Sequence, residues 1–135
     1  MELNQTRRFA AAQSFRDLVV WQKAHRLVLD IYMATAQFPK TEIYGLTSQV
    51  RRSASSVAAN IAEAFKKKSK LDKLRILNIA QGSLSETEYH ILLAHDLHYV
   101  NSMGLQDKAE EVSKLLESYM KAIRGEGERG TKGRG

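Results

Sequence analysis

The sequence predicts an all-α fold, an antiparallel up-down-up-down four-helix bundle. Proline occurs once, at Pro39, and β-branched residues rarely alternate with polar ones. Apolar residues instead recur at three- and four-residue steps in four separate stretches, the period of helices with one buried face. The connections between these stretches are short, and short connections make successive helices antiparallel neighbours.

The first helix is expected over about Asp17 to Gln37, with Leu18, Trp21, His25, Val28, Tyr32 and Ala36 as its apolar face and Lys23, Arg26 and Asp30 on the other side. "FPK" (38–40) ends it, because Pro39 removes a donor and restricts the residue before it. The second runs from about Glu42 or Leu46 to Phe65 (42–65 at its longest), with Thr41 and Thr47 as candidate caps. "KKKSK" leads into the third, about 71–100, in which Leu77, Ala80, Leu84, Thr87, Ile91 and Ala94 form a seam. Leu74, Ile76, Ile79, Leu92, Leu93 and Leu97 point elsewhere, so this helix is expected to have neighbours on several sides. Gly82 in its middle costs about 1 kcal/mol relative to Ala, which suggests close approach of another helix. Gly104 in "NSMG" is expected to take a left-handed turn conformation. The fourth helix, about 106–124, carries Val112, Leu116, Tyr119 and Ile123. A flexible leader is expected over 1–14, and the tail 125–135, with five glycines and no apolar residue, is expected to be disordered.

At 135 residues the chain is long enough for one domain with a real core. It has no cysteine, which excludes disulfides and thiolate metal sites and fits a cytoplasmic location. No apolar run approaches the roughly 20 residues of a membrane span, and no secretory signal is read. The formal charge is +6, and the stretch 48–70, with six basic residues and one acidic, holds +5 of it.

On a helical wheel, that stretch separates into three arcs. Leu46, Val50, Ala54, Val57, Ile61 and Phe65 face the bundle. Ser55, Ala58, Ala59 and Ala62 share a second arc with Arg51. Helix propensity alone accounts for an alanine-rich arc; close contact with a second copy of the chain is the alternative, and it implies self-association. Gln49, Arg52, Ser56, Asn60 and Glu63 form a third arc, either a solvated stripe or a polar network at an interface. Arg52 and Glu63 lie about 16 Å apart along the helix, so each needs another partner, on this chain or a neighbouring one.

Lys66, Lys67, Lys68 and Lys70 read either as a solvated loop or, with Arg51 and Arg52, as a surface for phosphates. The arginines and Lys66 are about 21 Å apart along the helix, so one subunit would carry two patches. Repetition around a ring would join them to their copies and make weak contacts multivalent. No aromatic residue interleaves the basic ones, so base stacking is not indicated. No metal or cofactor site is expected: the four histidines form no Glu-x-x-His pair, His25 reads as a core imidazole, and His95 and His98 sit at a helix end. Glu86 and Glu88, two apart on a helix, diverge. Without a phosphate loop or nucleophile elbow, the chain is not expected to be an enzyme.

The stretches "FRDLVVWQKAHRLVLDIY" (15–32), "FPKTEIYGLTSQVRRSASSVAANIAEAF" (38–65) and "ILNIAQGSLSETEYHI" (76–91) resemble the S23-type four-helix-bundle proteins of bacterial 23S rRNA intervening sequences. That family is related to the accessory variability proteins of diversity-generating retroelements. The motifs carrying the resemblance are Trp21, Phe38-Pro39, Tyr44-Gly45-Leu46, Gln49, Arg51-Arg52, Asn60-Ile61-Ala62-Glu63, and Ala80 with Gly82-Ser83. The resemblance implies a homopentameric barrel without known enzymatic activity. In the retroelement branch it implies nucleic-acid binding and association with a reverse transcriptase. One departure is Ala64, where the family usually has glycine; it is expected to let the second helix run on towards the lysines.

The resulting expectation is a non-enzymatic, cytoplasmic, self-associating scaffold or accessory protein that binds RNA or DNA electrostatically. The candidate phosphate contacts are Arg51, Arg52, Lys66, Lys67, Lys68 and Lys70. The candidate interface comprises Gln49, Arg52, Ser55, Ser56, Ala59, Asn60, Ala62 and Glu63. The alternative is a protein–protein adaptor without a direct nucleic-acid role.

Overall fold

A computed structural model describes residues 11–125; most of the expected leader and all but the first residue of the expected tail lie outside them. Four helices follow one another: α1 (Val19–Thr35), α2 (Leu46–Lys66), α3 (Lys70–Asp96) and α4 (Met103–Arg124), with 3-10 turns at Phe15–Asp17 and Lys40–Glu42. Among the described residues there is no strand. Each helix packs on the next, and α4 returns to pack on α1. Side-chain bonds between helices fix the antiparallel order. Arg51 near the start of α2 reaches Thr35 at the end of α1, Ser56 pairs with Ser83, Gln81 bonds Glu117, and Lys23 pairs with Glu111.

The seams read for α2 and α3 are the ones that pack. Leu46, Val50, Ala54, Val57 and Ile61 are buried along α2, with Phe65 half-buried, and Leu77, Ala80, Leu84, Thr87, Ile91 and Ala94 are all buried along α3. On α4, Ala109, Val112, Leu116 and Met120 form the core face, with Tyr119 and Ile123 half-buried beside it.

On α1 the expected face is one step out of phase. The buried set is Val20, Ala24, Leu27, Ile31 and Thr35, while His25 and Tyr32 are exposed. Trp21 is held at the edge of the bundle by Phe15 (centroids 5.0 Å apart, edge-on), and His25 stacks flat on it at 4.9 Å. His25 is therefore a surface ring against Trp21 rather than a core imidazole. Aromatic rings packed on one another form a local patch without entering the core.

The connections also differ from expectation. Residues 40–42 form a separate turn, so of the two expected starts α2 takes Leu46, but it is capped by neither Thr41 nor Thr47. The capping group is Glu42, whose Oε1 accepts the Leu46 N–H at 3.0 Å, while Tyr99 from the α3–α4 connection donates its hydroxyl to Oε2 at 2.8 Å. A methyl group on Gly45 would lie 2.7 Å from that Oε1, so glycine leaves room for the carboxylate. Gly104 lies in the first turn of α4, and the left-handed residue of the connection is His98, with φ of 63°. Gly82 is exposed, and a Cβ there would meet nothing within 4 Å, so no helix of the same chain approaches it.

Glu42 carries a pH dependence. The Leu46 N–H and then the Tyr99 hydroxyl favour its charged form and lower its pKa from 4.5. A carboxyl depressed in the folded state stabilises fully above its unfolded pKa, and this contribution is lost as pH falls through the depressed value. Glu42→Gln is therefore expected to lower the melting temperature at neutral pH, with the gap to wild type closing below about pH 4.5. Thermal melts across this range test it; a gap independent of pH would contradict the role.

Candidate nucleic-acid interface

The two adjacent arginines part company once α1 is in place. Arg51 Nε donates to Thr35 Oγ1 at 2.8 Å, its Nη2 lies 3.4 Å from the Tyr32 carbonyl, and its guanidinium stands 4.5 Å over the Tyr32 ring. It thus binds the C-terminal turn of α1, where carbonyls and the helix dipole favour a cation. Arg52, one residue on, is exposed. Arg51 is therefore a helix–helix clasp within the chain, and only Arg52 of the pair is presented to a partner.

The polar arc of α2 divides as well. Asn60 Nδ2 donates to the Ser56 carbonyl (2.8 Å) and to Ser56 Oγ (2.9 Å), and Ser56 Oγ meets Ser83 Oγ on α3 at 2.8 Å. One turn away, the fully buried Thr87 hydroxyl shares its proton between the Ser83 carbonyl and Ser53 Oγ, both at 2.8 Å, while Ser53 donates to the Val50 carbonyl. The small hydroxyl residues thus let α2 and α3 approach closely and satisfy one another's polar groups. For Ser56 and Asn60 the network expected at a subunit boundary lies inside the chain. Gln49, Arg52 and Glu63 are exposed, as is Ala59, and Ser55 and Ala62 are half-buried. Thr87 is read from the sequence as a member of the α3 seam and Ser83 as part of the Gly82-Ser83 motif, but the hydroxyl network they form with Ser53 and Ser56 is not. Their one-turn spacing opposite Ser53 and Ser56 becomes meaningful only once the α2–α3 register is known.

The lysines occupy the turn between α2 and α3. α2 runs past the buried Ala64 to Lys66, Lys67 takes an extended conformation (φ −72°, ψ 149°), and Ser69 caps α3 by accepting the Asp72 N–H at 3.1 Å. The side chains of Lys66, Lys68 and Lys70 are exposed and that of Lys67 is half-buried. Lys73 turns back instead: its Nζ donates to the carbonyls of Phe65 (3.0 Å) and Ala64 (3.3 Å) and closes the end of α2. The lysine turn and Arg52 lie towards opposite ends of α2, so the structure does not bring them into one patch.

Carboxylates gather away from that turn, between the C-terminal half of α3 and the N-terminal half of α4. There burial, and then the charge of Glu110, raise the pKa of Glu88. Among the described residues no three His, Cys, Asp or Glu side chains converge into a set that could hold a metal ion. Among the described residues no helix is long and apolar enough to cross a membrane.

A family model described as the 23S rRNA-intervening sequence protein matches residues 16–118. The chain belongs to this family. A crystal structure of a protein of unknown function from the S23 ribosomal protein family of Bacteroides thetaiotaomicron superposes with a TM-score of 0.69 at 29% identity, over 76% of this chain and 99% of that one. The chain matches no curated protein. Several residues that carry the resemblance to 23S rRNA-intervening sequence proteins hold the bundle together. Gly45 makes room for the Glu42 cap, Arg51 clasps α1, and Asn60 and Ser83 join α2 to α3.

Proposed function

We propose that this 23S rRNA-intervening sequence protein is a non-enzymatic, self-associating helical scaffold that acts in the cytoplasm and binds nucleic acid through backbone phosphates. The carrying observation is the turn of Lys66, Lys67, Lys68 and Lys70, four cations within five residues with no ion pair to any described residue. Such a cluster suits phosphates, whose contacts release counterions and do not depend on sequence.

Self-association is supported by surface that a single chain leaves open. Ser55, Ala59 and Ala62 form a strip of small residues on α2, and α3 presents Gly82 among the exposed Ile79 and Tyr89, with the exposed Leu97 just beyond its end. Small residues admit a close helix, and exposed apolar side chains in series mark contact surfaces. Five copies is the number the family resemblance implies.

Sedimentation velocity with a short dye-labelled duplex tests both parts. The protein alone is expected to run at several times 15.2 kDa, to carry the dye at low salt, and to release it as salt rises. A stable monomer refutes the assembly, and absent or salt-indifferent binding refutes the nucleic-acid role.

The adaptor reading has its own support. Tyr32, Ile43, Thr47 and Arg52 border an open depression of about 330 Å³, with Tyr44 93% exposed nearby. A tyrosine–arginine surface of this kind suits a protein partner.

A further inference from the structure

The bundle is electrically bipolar. The turn between α2 and α3 shares its end of the bundle with the N-terminus of α1 and the C-terminus of α4. Dividing each helix at its middle, the half at that end (11–27, 57–83 and 114–125) holds twelve basic and four acidic side chains, a net of +8. The other half (28–56 and 84–113) holds four basic and eight acidic, a net of −4.

Within the basic half, ion pairs remove part of the charge: Lys23 pairs with Glu111 at 3.5 Å and Lys114 with Glu110 at 3.5 Å. Arg16 and Lys121 are exposed and form no such pair with any described residue; Arg16 lies over the Phe15 ring at 4.8 Å, a contact that leaves its charge in place. The Arg51–Thr35 bond sets the α1–α2 register, which carries Arg16 to the level of the lysine turn. The Gln81–Glu117 bond, at 3.0 Å, sets the α3–α4 register, and Lys121 lies one turn beyond it towards the same end. Among the described residues the largely exposed tyrosines, Tyr32, Tyr44 and Tyr89, are all in the opposite half, and the exposed aromatic ring of the basic half, His25, already has one face stacked on Trp21 at 4.9 Å, which leaves little for stacking an unpaired base.

We infer that the phosphate-binding surface is a composite pole, in which Arg16 and Lys121 join the lysine turn, and that it meets the backbone of a nucleic-acid duplex with the acidic half turned away. This rests on the nucleic-acid reading above and adds to it the residues, the orientation and the form of nucleic acid. A phosphate array attracts one end and repels the other, so the bipolar charge orients the encounter as well as strengthening it. Arg16 and Lys121 lie more than a hundred residues apart in sequence, and only the fold makes them neighbours of the turn.

The test compares the double variant Arg16→Ser/Lys121→Ser with Lys40→Ser/Lys108→Ser at the opposite end, using full-length protein whose helix content and oligomeric size match wild type. For a labelled duplex, the first variant is expected to lower the slope of log affinity against log salt by about two and to weaken binding about tenfold; the second should change neither. If replacing Arg16 and Lys121 has no effect while replacing Lys66, Lys67, Lys68 and Lys70 together by serine does, the composite pole is overturned and the nucleic-acid reading stands. Tighter binding to a single strand of the same sequence overturns the duplex assignment. Binding to vesicles of anionic lipid but not to duplex overturns the inference together with the nucleic-acid reading.

Discussion

Replacing Lys66, Lys67, Lys68 and Lys70 together by serine is expected to remove most of the affinity for duplex nucleic acid while leaving the bundle intact. Three of the four side chains are exposed and Lys67 is half-buried, and the cap that starts α3 comes from Ser69, which the variant keeps. Each lost phosphate contact lowers the salt slope by about one, so the slope should fall by about four. At roughly physiological salt this corresponds to a loss of about 100-fold or more. Unchanged affinity in a correctly assembled variant would shift the account to the protein–protein adaptor. Conversely, lost affinity with unchanged helix content and size would localise phosphate binding to a turn with little structural duty.

The largest effect on stability is expected from Leu77→Ala. Leu77 is fully buried at the N-terminal end of the α3 seam, within the cluster that joins all four helices. Removing its branched end forfeits transfer free energy and leaves a cavity that the surrounding helices close only in part, a cost of about 2–5 kcal/mol. That is a large share of the roughly 5–15 kcal/mol typical of a whole domain. Urea unfolding at fixed protein concentration measures it, because self-association makes apparent stability concentration-dependent. Ile79, two residues on and 49% exposed, is the internal comparison. Ile79→Ala should cost far less in a single bundle, and equal costs at the two positions would contradict the assignment of the α3 core face.

Periodicity served best where one set of apolar residues dominates. In α2, Val50, Val57 and Ile61 have no rival series, and in α3 the regular series Leu77, Leu84 and Ile91 packs although other apolar residues, among them the buried Ile76 and the exposed Ile79 and Leu92, lie on its other faces. In α1 two series run one step apart, Leu18–Trp21–Val28 and Val20–Leu27–Ile31, and spacing alone cannot rank them. The second is buried because Trp21 finds its partners in Phe15 and His25 at the edge of the bundle.

Side chains whose partners are distant in sequence were the least legible. Arg51 and Arg52 are chemically identical neighbours; the end of α1, sixteen residues before Arg51, decides that one is a clasp and the other exposed. Glu42 and Tyr99 come from different connections, and no local pattern announces their bond. The same holds for the electrostatics. The lysine turn stands out as a run, whereas Arg16 and Lys121 are isolated charges until the antiparallel order places them beside it.

The most direct measurement of the central claim is chemical footprinting of lysines on full-length protein, free and with a saturating duplex, read by mass spectrometry. Lys66, Lys67, Lys68, Lys70 and Lys121 are expected to become protected, while Lys40 and Lys108 at the opposite end react as in the free protein. Protection of Lys40 and Lys108, with the turn lysines still reactive, would contradict binding through the basic pole.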